Sequence, residues 1–160
     1  MIDRTITCDT FSIVRTLAAT PERVFAAFVD VDIKTQMLAP SDGDSTGDLS
    51  AQGEFDFRVG GHERFEYQDE SDRVMKYDAT YYDIVPDQRI VYSYEMYEDD
   101  ARVSVSVVSL EFLRSQDAAT LVWTEQGAFL DGRATNEMRK GGTEWMVDNM
   151  TEFFAAQRES

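Results

Sequence analysis

The sequence predicts an α+β fold in which a strongly curved antiparallel sheet wraps around one long C-terminal helix, in the order β-α-α-β6-α. Apolar and polar residues alternate over most of residues 54–129, which is typical of successive β-strands. Apolar residues near the C-terminus instead recur at helical spacing, so one side of that helix must be buried. The sequence shows no second long helix that could cover this side, so we expect the sheet to cover it.

The chain begins with one predicted strand and a short helix. Residues 10–17 alternate in the manner of a half-buried strand. Thr20 is a good helix N-cap, and Pro21 fits the first helical position. The residues of this helix expected to face inward are Val24, Phe25 and Phe28.

A second short helix is predicted over residues 32–38. Asp32 is expected to cap it, and Pro40 marks its end because proline cannot continue a helix. Residues 41–53 are rich in Asp, Ser and Gly and predict a polar loop.

Six strands are expected between the second and the third helix. Phe55, Phe57 and Val59 should share one side of the first, and Gly60-Gly61 should turn the chain into the next. The apolar positions change phase near Val107-Val108, which predicts a β-bulge there. The predicted strands cover residues 54–59, 65–67, 77–85, 89–97, 103–112 and 120–126.

The last predicted element is a helix over residues 141–156. Its apolar stripe is expected to face the sheet and consists of Trp145, Met146, Met150, Phe153 and Phe154. The whole chain, residues 1–160, is predicted to be a single domain with a core from about residue 10 to residue 156.

Composition excludes several classes of partner. The net charge of −16 argues against binding to nucleic acid or to an anionic membrane, because both require clustered Lys and Arg. The single cysteine, Cys8, cannot form an internal disulfide. Residues 1–5 lack the apolar core of a signal peptide and no run of about 18 apolar residues is present, so we expect neither a leader nor a membrane span. We expect a cytoplasmic protein without a metal or another cofactor.

The element order and several short motifs resemble the SRPBCC or START-like superfamily, which has the helix-grip fold. Within it, the sequence is similar to proteins of the activator of heat-shock protein 90 ATPase homologue (AHSA) type, and to a subgroup described as polyketide-cyclase-like. The resemblance covers about residues 10–154. Its motifs are Phe57-Arg58-Val59-Gly60-Gly61, residues 83–91, Ser109-Leu110-Glu111-Phe112, residues 124–132 and Gly142-Thr143.

The resemblance implies a cavity between the sheet and the final helix. Many relatives bind hydrophobic small molecules in this cavity, and only some of them are enzymes. The family often has tryptophan where this chain has Gln36-Met37-Leu38, and histidine where it has Glu125. The chaperone-activating role belongs to larger relatives with an additional domain.

Glu125 is the candidate catalytic residue. Strand parity places it on the same side as Leu121 and Trp123, where partial burial would favour a general acid or base. The alternative is that Glu125 pairs with a nearby arginine or binds the turn at Gly127.

The remaining candidates are aromatic residues and methionines that would surround a flat ligand, or would simply fill the core. His62 is expected to have a solvated or structural role, and Arg58 and Arg64 to form surface ion pairs. The predicted ligand-binding set is Phe55, Phe57, Tyr77, Tyr81, Tyr92, Tyr94, Trp123, Glu125, Trp145, Met146, Met150 and Phe153.

Three functions are compatible with these features. The first is binding of a small hydrophobic or aromatic molecule between the sheet and the C-terminal helix. The second is a cyclase-, aromatase- or hydratase-like enzyme in which Glu125 moves a proton. The third is a chaperone-associated module that binds a protein partner. A homodimer through a sheet edge or the first helices would fit each of them.

Overall fold

One curved antiparallel sheet of seven strands organises the fold in the computed structural model, which describes residues 4–39 and 53–158. The strand order is β1-β7-β6-β5-β4-β3-β2, and each neighbouring pair is antiparallel. The predicted α+β helix-grip architecture is confirmed. The elements are β1 (Ile6–Leu17), α1 (Pro21–Val29), α2 (Val31–Leu38), β2 (Glu54–Phe55), β3 (His62–Gln68), β4 (Val74–Val85), β5 (Arg89–Glu98), β6 (Ala101–Ser115), β7 (Ala118–Leu130) and α3 (Asn136–Arg158).

The first helix begins as predicted, and the second has a different cap. Thr20 accepts a hydrogen bond from the backbone N–H of Arg23, and the inward side of α1 is buried. For α2 the prediction of Asp32 as the cap is wrong. Asp30 caps this helix and accepts bonds from the N–H groups of Asp32 and Ile33, because the helix begins one residue earlier than predicted. Pro40 and the predicted loop before Gly53 lie outside the described residues.

The strand predicted over residues 54–59 is wrong in its second half. The described strand β2 ends at Phe55, after which the backbone turns through a bond from Arg58 N–H to the Asp56 carbonyl. Val59 is consequently 57% exposed. Gly61 permits the turn, because a Cβ there would lie only 2.1 Å from the Asp56 carbonyl oxygen.

Strand β6 has its irregularity earlier than predicted. The pairing with β5 shifts between Met96 and Tyr97, where Val103 is the additional residue, and pairing is regular at Val107-Val108. From Ser104 onward, even-numbered positions face inward, so Val105 and Val107 are exposed while Ser104 and Ser106 are buried. The predicted bulge at Val107-Val108 is therefore wrong. A second register shift lies in β4 between Tyr81 and Asp83.

The C-terminal helix is longer than predicted, and one residue of its predicted apolar stripe faces outward. It begins at Asn136, so Gly141-Gly142 lies within it. Its buried residues are Thr143, Val147, Met150 and Phe154, while Met146 and Phe153 are partly buried against the core. Trp145 is two positions from both Thr143 and Val147, which is about 200° around the helix. Its side chain is 55% exposed, so its predicted inward orientation is wrong.

The core lies between the sheet and the helices, and α3 packs against β1 and α2. Leu121, Trp123 and Glu125 share the inward face of β7, as predicted. None of the helices in residues 4–39 and 53–158 is long and apolar enough to cross a membrane.

Aspartate occupies most of the turn positions that require a left-handed backbone. Apart from glycine, the described residues with positive φ are Asp72, Asp87, Asp99, Asp100, Gln116 and Asp131. Asp and Asn tolerate this conformation better than other side chains, because a short polar side chain can hydrogen-bond locally.

Candidate functional site

A partly enclosed cavity of about 140 Å³ lies between the sheet and the first two helices. Aromatic rings form most of its sheet side, and α2 covers it from the other side. Its described lining consists of Phe28, Val31, Lys34, Thr35, Leu38, Ala39, Glu54, Phe55, Glu63, Arg64, Phe65, Tyr77, Tyr92, Tyr94, Trp123 and Met146.

Half of the predicted ligand-binding set lines this cavity, namely Phe55, Tyr77, Tyr92, Tyr94, Trp123 and Met146. Phe57 and Tyr81 are not in the described lining; they contact each other in or against the core, with ring centroids 5.0 Å apart. Met150 and Phe153 pack in or against the core, and Trp145 faces outward.

The cover of the cavity differs from the expectation. Only Met146 of α3 borders it, whereas α2 contributes Val31, Lys34, Thr35 and Leu38. The predicted location between sheet and C-terminal helix is instead occupied by a shallower groove of about 450 Å³. Phe65, Tyr77 and Met146 border both spaces and so form the partition between them.

The tyrosines of the wall form a continuous aromatic surface. The Tyr77 ring stacks on Phe65 and Tyr94, with centroid distances of 4.7 and 4.9 Å. Burial raises the pKa of both Tyr77 and Tyr92 well above the ordinary value of a phenol. These hydroxyls therefore remain protonated at neutral pH and can act as hydrogen-bond donors.

An ion pair forms one polar part of the cavity lining. Lys34 Nζ of α2 donates to Glu63 Oε2 of β3 at 2.7 Å, and Tyr81 Oη donates to the same oxygen at 2.7 Å. The Lys34 and Glu63 side chains are only 14% and 12% exposed. Lys34 also lies 5.6 Å from the ring centroid of Phe55. Burial and the Glu63 carboxylate raise the pKa of Tyr81, so its hydroxyl keeps its proton.

Glu125 belongs to a second polar cluster, which reaches the cavity through Tyr94. Its Oε2 accepts bonds from Tyr94 Oη at 2.7 Å, from Ser106 Oγ at 2.9 Å and from Arg139 Nη1 at 3.2 Å. Arg139 also donates to Ser104 Oγ at 2.7 Å. Glu125 is 2% exposed and lies in the interior of β7, but it is not part of the described cavity wall. The alternative of an arginine partner is thus realised in the structure.

Burial, opposed by the Arg139 guanidinium, raises the pKa of Tyr94. Burial acts to lower the pKa of Arg139, but Tyr94 and Glu125 outweigh it and raise this pKa. Arg139 therefore remains a cation beside Glu125, and Tyr94 remains a neutral donor at the cavity wall.

Trp123 contributes a polar group with no partner. It is 3% exposed and borders the cavity, and its buried Nε1 hydrogen-bonds to nothing in the described part of the chain. Most buried donors in proteins are satisfied, so this nitrogen is a useful reporter of any group that enters next to it.

Sequence reasoning missed Lys34, Glu63 and Arg139. Lys34 could have been found from its place one turn before Leu38 on the apolar side of α2, but no periodicity identifies its partner on β3. Arg139 precedes the predicted start of α3 and therefore had no assigned orientation. His62 accepts from or donates to Thr80 at 3.2 Å, and Arg58 and Arg64 form the predicted surface ion pairs.

Sequence and fold are both similar to known proteins. The family profile described as "Activator of Hsp90 ATPase homolog 1-like protein" matches residues 18–155. A protein of Rhizobium leguminosarum with a solved structure is 36% identical, with a TM-score of 0.88 over 96% of this chain and 99% of that one. Mll3558 from Rhizobium loti is also 36% identical, with a TM-score of 0.82 over 92% of this chain and 98% of that one.

A more distant structure shows likeness of fold alone. CV1439 from Chromobacterium violaceum is 23% identical, with a TM-score of 0.70 over 91% of this chain and 96% of that one. No curated protein sequence matches this chain significantly.

Proposed function

This chain belongs to the family of Activator of Hsp90 ATPase homolog 1-like proteins, within the SRPBCC or START-like superfamily, and on that premise we propose that it binds a small hydrophobic or aromatic molecule in the cavity beneath α2. The observation that carries this proposal is the lining: rings from six different elements face a common space, with a few polar groups among them. Ligand sites are typically concave and mostly apolar, with a small number of polar groups that fix orientation.

The size of the cavity limits the molecule. A space of about 140 Å³ is close to the volume at which an engineered apolar cavity holds a single benzene ring. We therefore expect a compact molecule of about one ring, and a larger one only if Met146 and Phe65 move and join the cavity to the neighbouring groove.

Titration followed by NMR tests the proposal directly. The variant Trp145→Phe retains only the indole N–H signal of Trp123 and so assigns the two tryptophan signals. Toluene is the probe molecule. Toluene should shift the Trp123 signal in a saturable manner, because Trp123 lines the cavity, and should leave that of the exposed Trp145 unchanged.

A matched pair of variants on α2 controls for general effects. Thr35→Phe fills the cavity and should abolish the shift of Trp123, whereas Ile33→Phe places the same side chain on an exposed position and should preserve it. A saturable shift that survives Thr35→Phe, or no shift in the unmodified protein, would contradict the proposal. If toluene binds as expected, mass spectrometry of gently purified protein is the next step, because it identifies the natural ligand.

An enzyme of the cyclase, aromatase or hydratase kind is the second candidate, and one observation favours it. Tyr94 connects the cavity to the buried carboxylate of Glu125, so a proton could pass between a ligand and Glu125 through the Tyr94 hydroxyl. After ligand identification, Glu125→Gln should remove turnover and retain binding. Undiminished turnover would exclude Glu125 as the acid or base.

A chaperone-associated interaction module is the third candidate. The exposed Trp145 and Met138 beside the groove are the feature that favours it, because large apolar side chains on a surface often mark a contact site. Trp145→Ser should then weaken binding to a purified Hsp90 protein. Equal binding by both forms would remove Trp145 from the proposal.

A homodimer and a cytoplasmic location remain predictions.

A further inference from the structure

The ion pair between Lys34 and Glu63 indicates the chemistry of the molecule that the cavity receives. Both side chains border the cavity and are mostly buried. A buried ion pair often contributes little net stability, because the loss of hydration offsets the attraction. A role in recognition accounts for a buried charged pair in this wall, whose other charged side chains, Glu54 and Arg64, are about half exposed.

Each partner retains hydrogen-bonding capacity. Glu63 Oε2 accepts from both Lys34 and Tyr81, while its Oε1 accepts from no residue that the structure describes. The Lys34 ammonium has three protons; it donates one to Glu63 at 2.7 Å, and its contact with Tyr81 Oη is long, at 3.5 Å. The pair can therefore offer a ligand one acceptor and one donor.

The charge of the pair selects against charged ligands. A carboxylate that reached Lys34 would also lie beside Glu63, and an amine that reached Glu63 would also lie beside Lys34. Either would therefore experience repulsion in a poorly hydrated site. A neutral hydroxyl group can donate to the carboxylate and accept from the ammonium at the same time. Tyr81 already shows this pattern, since its phenol donates to Glu63 and lies within reach of Lys34.

From this geometry we infer that the bound molecule is a neutral aromatic ring with a hydroxyl group, which donates to Glu63 and accepts from Lys34. The inference rests on the proposed function, because it concerns the same cavity. The aromatic wall of Phe55, Tyr77 and Trp123 would hold the ring, and the ion pair would fix its orientation.

A panel of four probes with one ring each tests the inference on the unmodified protein. Phenol, toluene, benzoate and benzylamine are titrated, and the Trp123 indole signal gives each dissociation constant. Phenol should bind about tenfold or more tightly than toluene, as expected for hydrogen bonds to charged groups. Benzoate and benzylamine should both bind more weakly than phenol.

Variants separate the ion pair from the rest of the cavity. Lys34→Met/Glu63→Leu/Tyr81→Phe replaces the polar cluster by apolar side chains of similar size and should reduce the preference for phenol over toluene to about onefold. Arg89→Leu is the matched control, because Arg89 also forms an ion pair, with Asp83, but neither residue belongs to the described lining of the cavity. It should leave the preference unchanged.

The outcomes distinguish this inference from the proposed function. If toluene binds as tightly as phenol, or if either charged probe binds more tightly, the cavity still binds a ring but the inference is overturned. If none of the probes shifts the Trp123 signal, both the proposed function and the inference fail. Should the triple variant not fold, the four-probe comparison on the unmodified protein decides the matter.

Discussion

The carboxylate of Glu125 and the guanidinium of Arg139 show how far single residues could be predicted. The alternation of β7 predicted the inward orientation of Glu125, and this prediction is confirmed. Its partner was not predictable, because the pattern of apolar residues placed the start of the last helix at residue 141, after Arg139. The true helix begins at Asn136, and its first five residues include only one apolar side chain, that of Met138, so periodicity does not detect them.

Arg139→Met is the variant that tests the importance of this pair. It removes the cation and leaves Glu125 buried and uncompensated, so the free energy of unfolding should fall by about 3–5 kcal/mol. Urea denaturation measures the effect. Arg133→Met, on the exposed residue six positions earlier, should change stability by less than about 0.5 kcal/mol.

A second substitution in the same background removes the unpaired charge. Arg139→Met/Glu125→Gln should recover part of the lost stability, because glutamine is neutral and can still bind Tyr94 and Ser106. An Arg139→Met protein as stable as the original would show that Glu125 does not depend on this partner.

The ion pair of Lys34 and Glu63 was hidden for a different reason. The two residues are 29 positions apart and belong to a helix and a strand. Alternation and helical spacing describe each element alone, and neither states which helix residue lies above which strand residue. Aromatic positions such as Tyr92 and Trp123 were predictable because apolar side chains define the inward faces themselves.

At the scale of elements, β6 shows where binary patterning fails. Val103, Val105 and Val107 alternate with serines, so hydrophobicity alone predicts that the valines face inward. The structure buries Val103 but exposes Val105 and Val107, and it buries Ser104 and Ser106 because Arg139 and Glu125 bind their hydroxyls. The buried polar cluster therefore turns the serines of β6 inward. The additional residue at Val103 shifts the pairing of β6 with β5 and so permits this orientation.

Two neighbouring valines test this assignment of faces. Val107→Thr should change the free energy of unfolding by less than about 0.5 kcal/mol, because Val107 is exposed. Val108→Thr should cost about 1–3 kcal/mol, since Val108 is fully buried and the new hydroxyl would lack a partner. Chemical denaturation of both variants compares them. A larger effect at Val107 than at Val108 would restore the phase that the sequence suggested.

At the scale of the whole molecule, the sequence predicted the architecture but not which helix covers the enclosed cavity. The order of elements and the partnership of sheet and helix follow from two periodicities that extend over many residues. The position of α3 over β1 and α2 depends on packing, which no local pattern encodes. As a result, α2 rather than α3 covers the enclosed space, and Trp145 points outward.

The buried tyrosines should make the stability of the molecule decline in alkali. Burial raises the pKa of Tyr77, Tyr81, Tyr92 and Tyr94 above the ordinary value of 10. Above about pH 10 the unfolded chain loses these protons while the folded protein retains them, so unfolding becomes more favourable as pH rises. Each such tyrosine should lower stability by about 1.4 kcal/mol per pH unit in this range.

Urea unfolding between about pH 9.5 and 11.5 measures this slope. Tyr92→Phe should make the decline of stability with pH shallower by about 1.4 kcal/mol per pH unit, because Tyr92 is buried. Tyr82→Phe is the control and should leave the slope unchanged, since Tyr82 is exposed. Identical slopes for Tyr92→Phe and the original protein would contradict the assignment.

The aspartates in left-handed turns connect hairpin geometry with overall charge. A protein engineer who wished to bring the net charge closer to neutrality would find Asp72, Asp87 and Asp99 to be poor positions for lysine. A long side chain without local hydrogen bonds would add about 1–2 kcal/mol of backbone strain at each of them. Acidic residues on strand faces, such as Glu66 or Glu111, carry no such constraint, so recharging could begin there.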